Sequence, residues 1–470
     1  MLLIKQKNQK IINKYSIKKI LIIIFFILLI DRINNNKINN YELNKNYNDL
    51  QKFINFPFPN KLKNKIRLGV YIYEMKGGGA QRVTALLLNY IHEIRIIDIF
   101  LFTLNVKEIN EYKIPDNIKR IFLKNENINN LIIEIKKKKI NVLLYQFPNF
   151  NEINILNKLE SINTIFYRHS SIFYGIYNKL YFIKTTYKEY FNSKYIISLI
   201  PLENDYIFHK WGITTSILMD NFITYEYDII IPSDLSSNII VMLGRADDIE
   251  KRFDIGIQTM EYIVKEIPTA KMKIISRLDK IEYLQNLIYN LNLENKIFFV
   301  GYTLNPEIYF KNSSLHIFPT LTEAFPMALS EIKIFGIPTI LLGLDYLTLS
   351  KKGTIIIYDE MPESIAKESL KIMKNKKYLK KLGRKARLSM KRFNNIQLAK
   401  KWIKLILSVY NGEIYYKILQ NNDTKLSNKT ALKILINQVK LIKKRKTIYF
   451  NTTIDDFLNF NYLMNFNFQI

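Results

Sequence analysis

The chain has 470 residues, 48 % hydrophobic and 24 % charged, which is enough apolar material for two or three packed domains and excludes a wholly disordered chain. It has no cysteine, which excludes a disulfide framework, a thiolate zinc cluster and a thiol nucleophile. The formal net charge is +29, but Lys, Asn, Ile, Tyr and Phe dominate everywhere, as in an AT-rich coding sequence, so the charge reads first as solvated surface and second as a preference for anionic ligands. The lysines are spread through every region, with no basic face interleaved with aromatics, and no nucleic acid partner is expected.

Six lysines lie among the first nineteen residues, ahead of an unbroken apolar run from Ile20 to Ile30 that is closed by Asp31 and Arg32. Its eleven residues fall short of the ~20 that a spanning helix needs, and no small-residue cleavage site follows. The run fits an uncleaved signal anchor with the lysines on the cytosolic side; a buried or interfacial helix is the alternative. Residues 31–62 are polar and Asn-rich, like a linker. Residues 1–65 are therefore read as a basic N-terminus, a short hydrophobic anchor and a linker, placing the protein at a membrane by a single-pass or signal-anchored N-terminus.

From Ile66 onward short apolar runs alternate with amphipathic stretches of helical length. Strands are expected at Arg67–Tyr73, Ile96–Thr103, Asn141–Gln146, Asn163–Tyr167 and Tyr195–Leu199, with helices near Ala80–His92, Asn127–Lys138, Asn151–Leu159 and Lys179–Phe191. The pattern breaks at the polar segment Glu226–Ser237 and restarts at Asn238–Leu243. Strands follow at Lys271–Ile275, Ile297–Val300, Leu315–Phe318, Thr339–Leu342 and Thr354–Ile357, with helices at Phe253–Lys265, Ile281–Leu291, Pro326–Phe335 and Pro362–Lys374. Such alternation predicts two α/β domains with parallel sheets, over 66–225 and 238–395, with a ligand cleft at the carboxyl ends of the strands. Residues 396–470 read as a C-terminal helix and a basic, Asn-rich tail, in which Leu432–Lys446 is a candidate basic amphipathic helix.

Three constellations carry candidate chemistry. Gly77-Gly78-Gly79 follows the first strand and opens a helix, so backbone N–H groups there can approach an anion; a tight strand-to-helix turn needs the same glycines. Gly244-Arg245 ends a buried strand, and Lys251 lies six positions on, two cations suited to a diphosphate unless they are ordinary surface charges. In Glu323-Ala324-Phe325-Pro326-Met327-Ala328-Leu329-Ser330-Glu331, Pro326 suits the first turn of a helix. Glu323 then precedes that helix, and Glu331 lies inside it among apolar neighbours. A carboxylate so placed needs a partner, whether sugar hydroxyls or a lysine. His169 follows the strand ending at Tyr167 and reads equally as a cleft or a loop histidine, whereas His92, His209 and His316 read as surface residues. No Asp-x-Asp occurs, and no metal or cofactor is expected.

Gly244-Arg245, five residues, Lys251, and later Glu323, seven residues, Glu331, resemble the motifs of the retaining glycosyltransferases of family 4, also described as glycosyl transferases group 1. The order and spacing match over roughly residues 66–400. The resemblance implies the GT-B fold, two Rossmann-like parallel-sheet domains facing each other across a cleft. It implies that Arg245 and Lys251 hold a donor diphosphate, that Glu331 binds ribose hydroxyls, and that Glu323 lies against the transferred sugar. Gly78, Gly79, Gly244, Phe325 and Pro326 would line the donor site, and His169 would touch the donor sugar. The family commonly has glycine where Ala324 stands, which puts sugar choice and rate in question. The function expected is transfer of a sugar from a nucleotide-sugar donor to an acceptor hydroxyl with retention. The acceptor would be a glycan, a lipid-linked molecule or a protein, in membrane-associated glycan or glycolipid synthesis. The alternative is a catalytically silent protein of the same fold that binds sugars or partners at a membrane.

Overall fold

A computed structural model describes residues 65–413 and 426–449, apart from 93, 95, 105–109, 148, 160, 175–190, 209–212, 214 and 215. The expected anchor at Ile20–Ile30, the linker at 31–62, His209, and all but the last residue of the helix expected at Lys179–Phe191 lie outside the described residues. Among the described residues no helix is long and apolar enough to cross a membrane.

The first sheet contains β1 (Ile66–Tyr71), β2 (Ile97–Thr103), β3 (Lys119–Phe122), β4 (Val142–Gln146), β5 (Asn163–Tyr167), β6 (Tyr195–Ser198) and β7 (Ser216–Leu218). Its order is β3-β2-β1-β4-β5-β6-β7, and every pairing is parallel. All five residues of β4 and all four of β6 are buried, as expected of strands covered on both faces. Helices α1 (Gly79–Ile91), α2 (Ile128–Lys137) and α3 (Phe150–Asn157) cross between strands. The start of α3 is fixed by a capping box in which Asn149 and Glu152 exchange side-chain-to-backbone bonds.

The second sheet repeats the plan with β8 (Ile239–Leu243), β9 (Lys271–Ile275), β10 (Ile297–Phe299), β11 (Leu315–Phe318), β12 (Thr339–Leu342) and β13 (Thr354–Ile357). The order is β10-β9-β8-β11-β12-β13, again parallel. Its helices are α4 (Phe253–Glu266), α5 (Glu282–Asn290), α6 (Glu307–Phe310), α7 (Met327–Ile334), α8 (Pro362–Lys374) and α9 (Lys376–Met390). Strand order reverses between β1 and β4 in one sheet and between β8 and β11 in the other, the places where ligands bind in such sheets.

Two further helices follow, of which the first ties the sheets together. Helix α10 (Asn395–Tyr410) returns to the first sheet and packs on α1, β4 and β5. Its Trp402 ring lies 5.7 Å from that of Tyr167, and Asn395 bonds both backbone groups of Ile223. Helix α11 (Asn428–Tyr449) includes the expected Leu432–Lys446 and buries Gln438, Leu441 and Arg445.

The structure adds β3, β7, α6 and α9 to the sequence reading and corrects it at Pro326 and His316. Strands β3 and β7 are short edge pieces without a period-2 signal, α6 is a single turn, and α9 sets its buried Leu379, Leu382, Ala386 and Met390 among many cations. Pro326 is the residue before the helix, and Met327 is its first helical residue. His316, expected at the surface, is fully buried on β11 with Nδ1 3.2 Å from Thr339 Oγ1, and burial pushes its imidazole down to about 3. It lies on an inner strand whose neighbours on both sides are apolar, a position that charge and polarity alone do not reveal.

Candidate functional site

The two motifs of the second sheet meet at its carboxyl edge. After β8, Gly244 N donates to Ile275 O at 3.2 Å, and the chain turns through Ile249–Lys251 with Asp248 accepting from Glu250 N. After β11, Leu321 N donates to Glu250 O at 2.8 Å, and Thr320 Oγ1 donates to the same oxygen at 3.3 Å. This stitching brings Lys251 Nζ to 2.6 Å from Glu323 Oε1, with each side chain 17 % exposed. Tyr346 Oη accepts from Glu323 N at 3.1 Å and fixes the loop from the other side. Arg245 stands apart from this pair: its side chain is about half exposed and donates to Asp248 Oδ2 at 2.6 Å.

Glu331 sits just past the first turn of α7 and is 3 % exposed. The protein partners that its burial demands are an arginine and a threonine, not a lysine. Thr224 Oγ1 donates to Glu331 Oε1 at 2.6 Å, and Arg82 Nη1, from α1 on the first sheet, donates to the same oxygen. The Arg82 guanidinium also lies 5.0 Å over the Tyr112 ring. A charge-assisted bond therefore joins the two sheet domains across the cleft.

The glycine loop reaches the same place. Gly77 adopts φ +77°, a left-handed conformation that favours glycine, and a Cβ at Gly79 would lie 3.3 Å from Met327 Cγ at the start of α7. Gly78 N donates to Lys76 O at 3.1 Å. The N-terminal ends of α1 and α7 thus approach each other, each offering the positive end of its dipole. Phe325 is turned into the core, edge-on to Phe393 at 5.6 Å, and Ala324 is 3 % exposed. Gly336, at φ +72°, ends α7.

His169 is not an exposed loop residue. Its ring packs 4.0 Å from Tyr167 and 5.1 Å from Phe147, and burial pushes it down to about 3, so it is neutral near pH 7. The tautomer follows from a chain of hydrogen bonds. Thr84 Oγ1 donates to Ala80 O and accepts from Gln146 Nε2, which directs Gln146 Oε1 at His169 Nε2. The Nε2 nitrogen therefore carries the proton and Nδ1 is left as an acceptor. Two residues on, Ser171 Oγ lies 3.1 Å from Thr322 Oγ1, joining this loop to the one that carries Glu323.

The structure thus brings Lys251, Glu323, Glu331, Gly79 and the start of α7 together, leaves Arg245 half exposed beside them, and places Phe325 beneath. Arg82, Thr224, Gln146 and Tyr346 belong to the site without having been singled out. Arg82 stands three residues after Gly79, one helical turn into α1; its spacing carried a signal, but its partner is 249 residues away. Among the described residues no cluster of three His, Asp or Glu side chains could hold a metal ion.

Residues 226–389 match the family model described as glycosyl transferases group 1. An uncharacterized glycosyltransferase of Haemophilus influenzae is 23 % identical over 156 residues, covering 32 % of this chain and 44 % of that one. The poly(glycerol-phosphate) alpha-glucosyltransferase of Bacillus subtilis is 24 % identical over 151 residues, covering 31 % of this chain and 22 % of that one. The chain therefore spans less than half the length of these curated relatives. Among solved structures, sucrose-phosphate synthase from Thermosynechococcus elongatus superposes with a TM-score of 0.63 at 14 % identity, covering 74 % of this chain and all of that one. Anabaena HepE in complex with UDP and glucose gives a TM-score of 0.59 at 11 % identity, covering 73 % and 100 %. Residues 226–389 thus match the group 1 glycosyltransferase model, within a chain that has the GT-B fold of two parallel-sheet α/β domains.

Proposed function

We propose that the chain is a metal-independent glycosyltransferase that moves a sugar from a nucleotide-sugar donor to an acceptor hydroxyl with retention, held at a membrane by its N-terminal segment. The observation that carries this reading is the Lys251–Glu323 pair beside the opposed N-terminal ends of α1 and α7. Lys251 and Arg245 hold the diphosphate and stabilise it as it leaves, in place of a divalent cation. Glu323 lies at the sugar end. Glu331 presents Oε2 to the ribose hydroxyls while Arg82 and Thr224 occupy Oε1. His169, neutral and with Nδ1 free to accept by tautomer, faces the sugar from the first domain. The UDP-bound neighbour makes a UDP-sugar the first donor to try. The acceptor is a glycan, a lipid-linked molecule or a protein. The occupied Oε1 of Glu331 favours a second reading, a silent protein of this fold whose cleft stays latched.

Donor consumption across UDP-, GDP- and ADP-sugars separates the two. The enzyme reading expects turnover of at least one donor. It expects Lys251→Ala to weaken nucleoside diphosphate binding roughly tenfold or more, the worth of a lost charge-assisted bond. Glu323→Gln should spare that binding and reduce turnover. Binding of a nucleoside diphosphate without turnover of any donor would support the silent reading and sink the enzymatic one.

A further inference from the structure

The C-terminal helix α11 lies beyond the family-matched residues 226–389, yet it reaches the donor loops. Leu441 packs against Gly343, where a Cβ would fall 2.2 Å from Leu441 Cδ2, and Gln438 donates to Asp345 Oδ1 at 2.8 Å. One turn on, Arg445 is 1 % exposed. Its Nη1 donates to Leu321 O at 3.0 Å, its Nη2 to Leu342 O at 3.4 Å and its Nε to Glu360 Oε1. Glu360, 8 % exposed in its side chain, also pairs with Arg252 at 3.5 Å.

Two of these contacts lead to residues of the site. Leu321 is two residues before Glu323, and its own N–H holds Glu250 O, next to Lys251. Arg252 directly follows Lys251 and is held at φ +50°, a left-handed conformation for a non-glycine residue that needs outside support. The Arg445 guanidinium therefore holds the loop that carries Glu323 directly, through Leu321 O, and the loop that carries Lys251 indirectly, through Glu360 and Arg252.

We infer that Arg445 is a positioning residue for the Lys251–Glu323 pair, so that the C-terminal helix is part of the donor site. Removing the guanidinium strips Glu360 of one buried cation and Leu321 O of its donor, and the two loops lose their common support. The inference rests on the glycosyltransferase reading.

The test is a double-mutant cycle on the full chain, read as kcat and KM for the donor that wild type consumes. Arg445→Ala should lower kcat on the order of tenfold or more, as expected when a buried polar group loses its partner. In a Glu323→Gln background the same change should cost little, because the pair it positions is already broken; in a Glu331→Gln background it should keep its full effect. Arg445→Lys should recover part of the rate. An equal loss in both backgrounds would mean a general structural role and overturn the inference, as would an Arg445→Ala variant with wild-type kcat. If wild type consumes no donor, the glycosyltransferase reading falls and this inference with it, a result distinct from either of those.

Discussion

Glu331→Gln probes both the latch between the domains and the assignment of the ribose. The carboxylate is 3 % exposed and the Arg82 side chain 13 %, so the change leaves a nearly buried guanidinium without its anion. Breaking such a pair by removing one partner costs about 3–5 kcal/mol. Arg82 keeps the face of Tyr112, and glutamine can still accept from Thr224, which brings the expected loss to roughly 2–3 kcal/mol. For roughly 400 folded residues the unfolding entropy is about 0.8 kcal/mol per degree, so Tm should fall by about 3 °C. Calorimetric melting of wild type, Glu331→Gln, Arg82→Met and the double variant gives the coupling directly. The double variant should regain part of the loss, with coupling of about 1.5 kcal/mol or more. An additive cycle, or a Tm within 1 °C of wild type, would refute the latch. Titration of the same variants with a nucleoside diphosphate reads the second role, and affinity should fall about tenfold in Glu331→Gln. A lowered Tm with unchanged affinity would leave Glu331 a domain latch only and remove it from the ribose.

Glu203 is buried, accepts from Ile172 N at 2.8 Å, and is pushed up to about 8 by burial, from an ordinary value of 4.5. The native state then holds a proton that the unfolded chain releases between those values, so stability falls as pH rises through that window. Glu203→Gln should match wild type near pH 4.5 and exceed it by a few kcal/mol at pH 8 in urea unfolding; equal curves at pH 8 would contradict the burial effect. Donor turnover should survive excess EDTA, and a loss restored specifically by Mn²⁺ or Mg²⁺ would show that the cations of the site are not sufficient. Deleting residues 1–35 should move the protein from the membrane pellet to the soluble fraction with turnover retained; persistence in a carbonate-washed pellet would place the attachment elsewhere.

Much of the architecture was legible because parallel strands covered on both faces read as apolar runs. The runs at Asn163–Tyr167, Lys271–Ile275, Leu315–Phe318, Thr339–Leu342 and Thr354–Ile357 coincide with observed strands to the residue. β3, with the sequence KRIF and exposed ends, carries no such signal. At the site, the local motifs could be read because Lys251 and Glu323 each follow a strand end. Their mutual ion pair could not, since it depends on how Leu321 and Glu250 stitch two loops together. The Arg82–Glu331 bond was out of reach for the same reason, being set by the approach of two separately folded sheets. Arg445 was visible only as one of many cations on a basic helix; its burial is a property of the surface that α11 meets.

The return of α10 to the first sheet also fixes an order of events during synthesis. Strands β1 to β7 are complete once Leu218 has been made, but Trp402 and Asn395, which close over Tyr167 and Ile223, are encoded much later. At about 5–20 residues per second the ribosome supplies them roughly 10–40 s afterwards. Through that interval the nascent first sheet exposes the apolar seat of Trp402, and the second sheet can finish folding before the first is sealed. A nascent chain stalled before residue 395 should therefore be the state most in need of a chaperone.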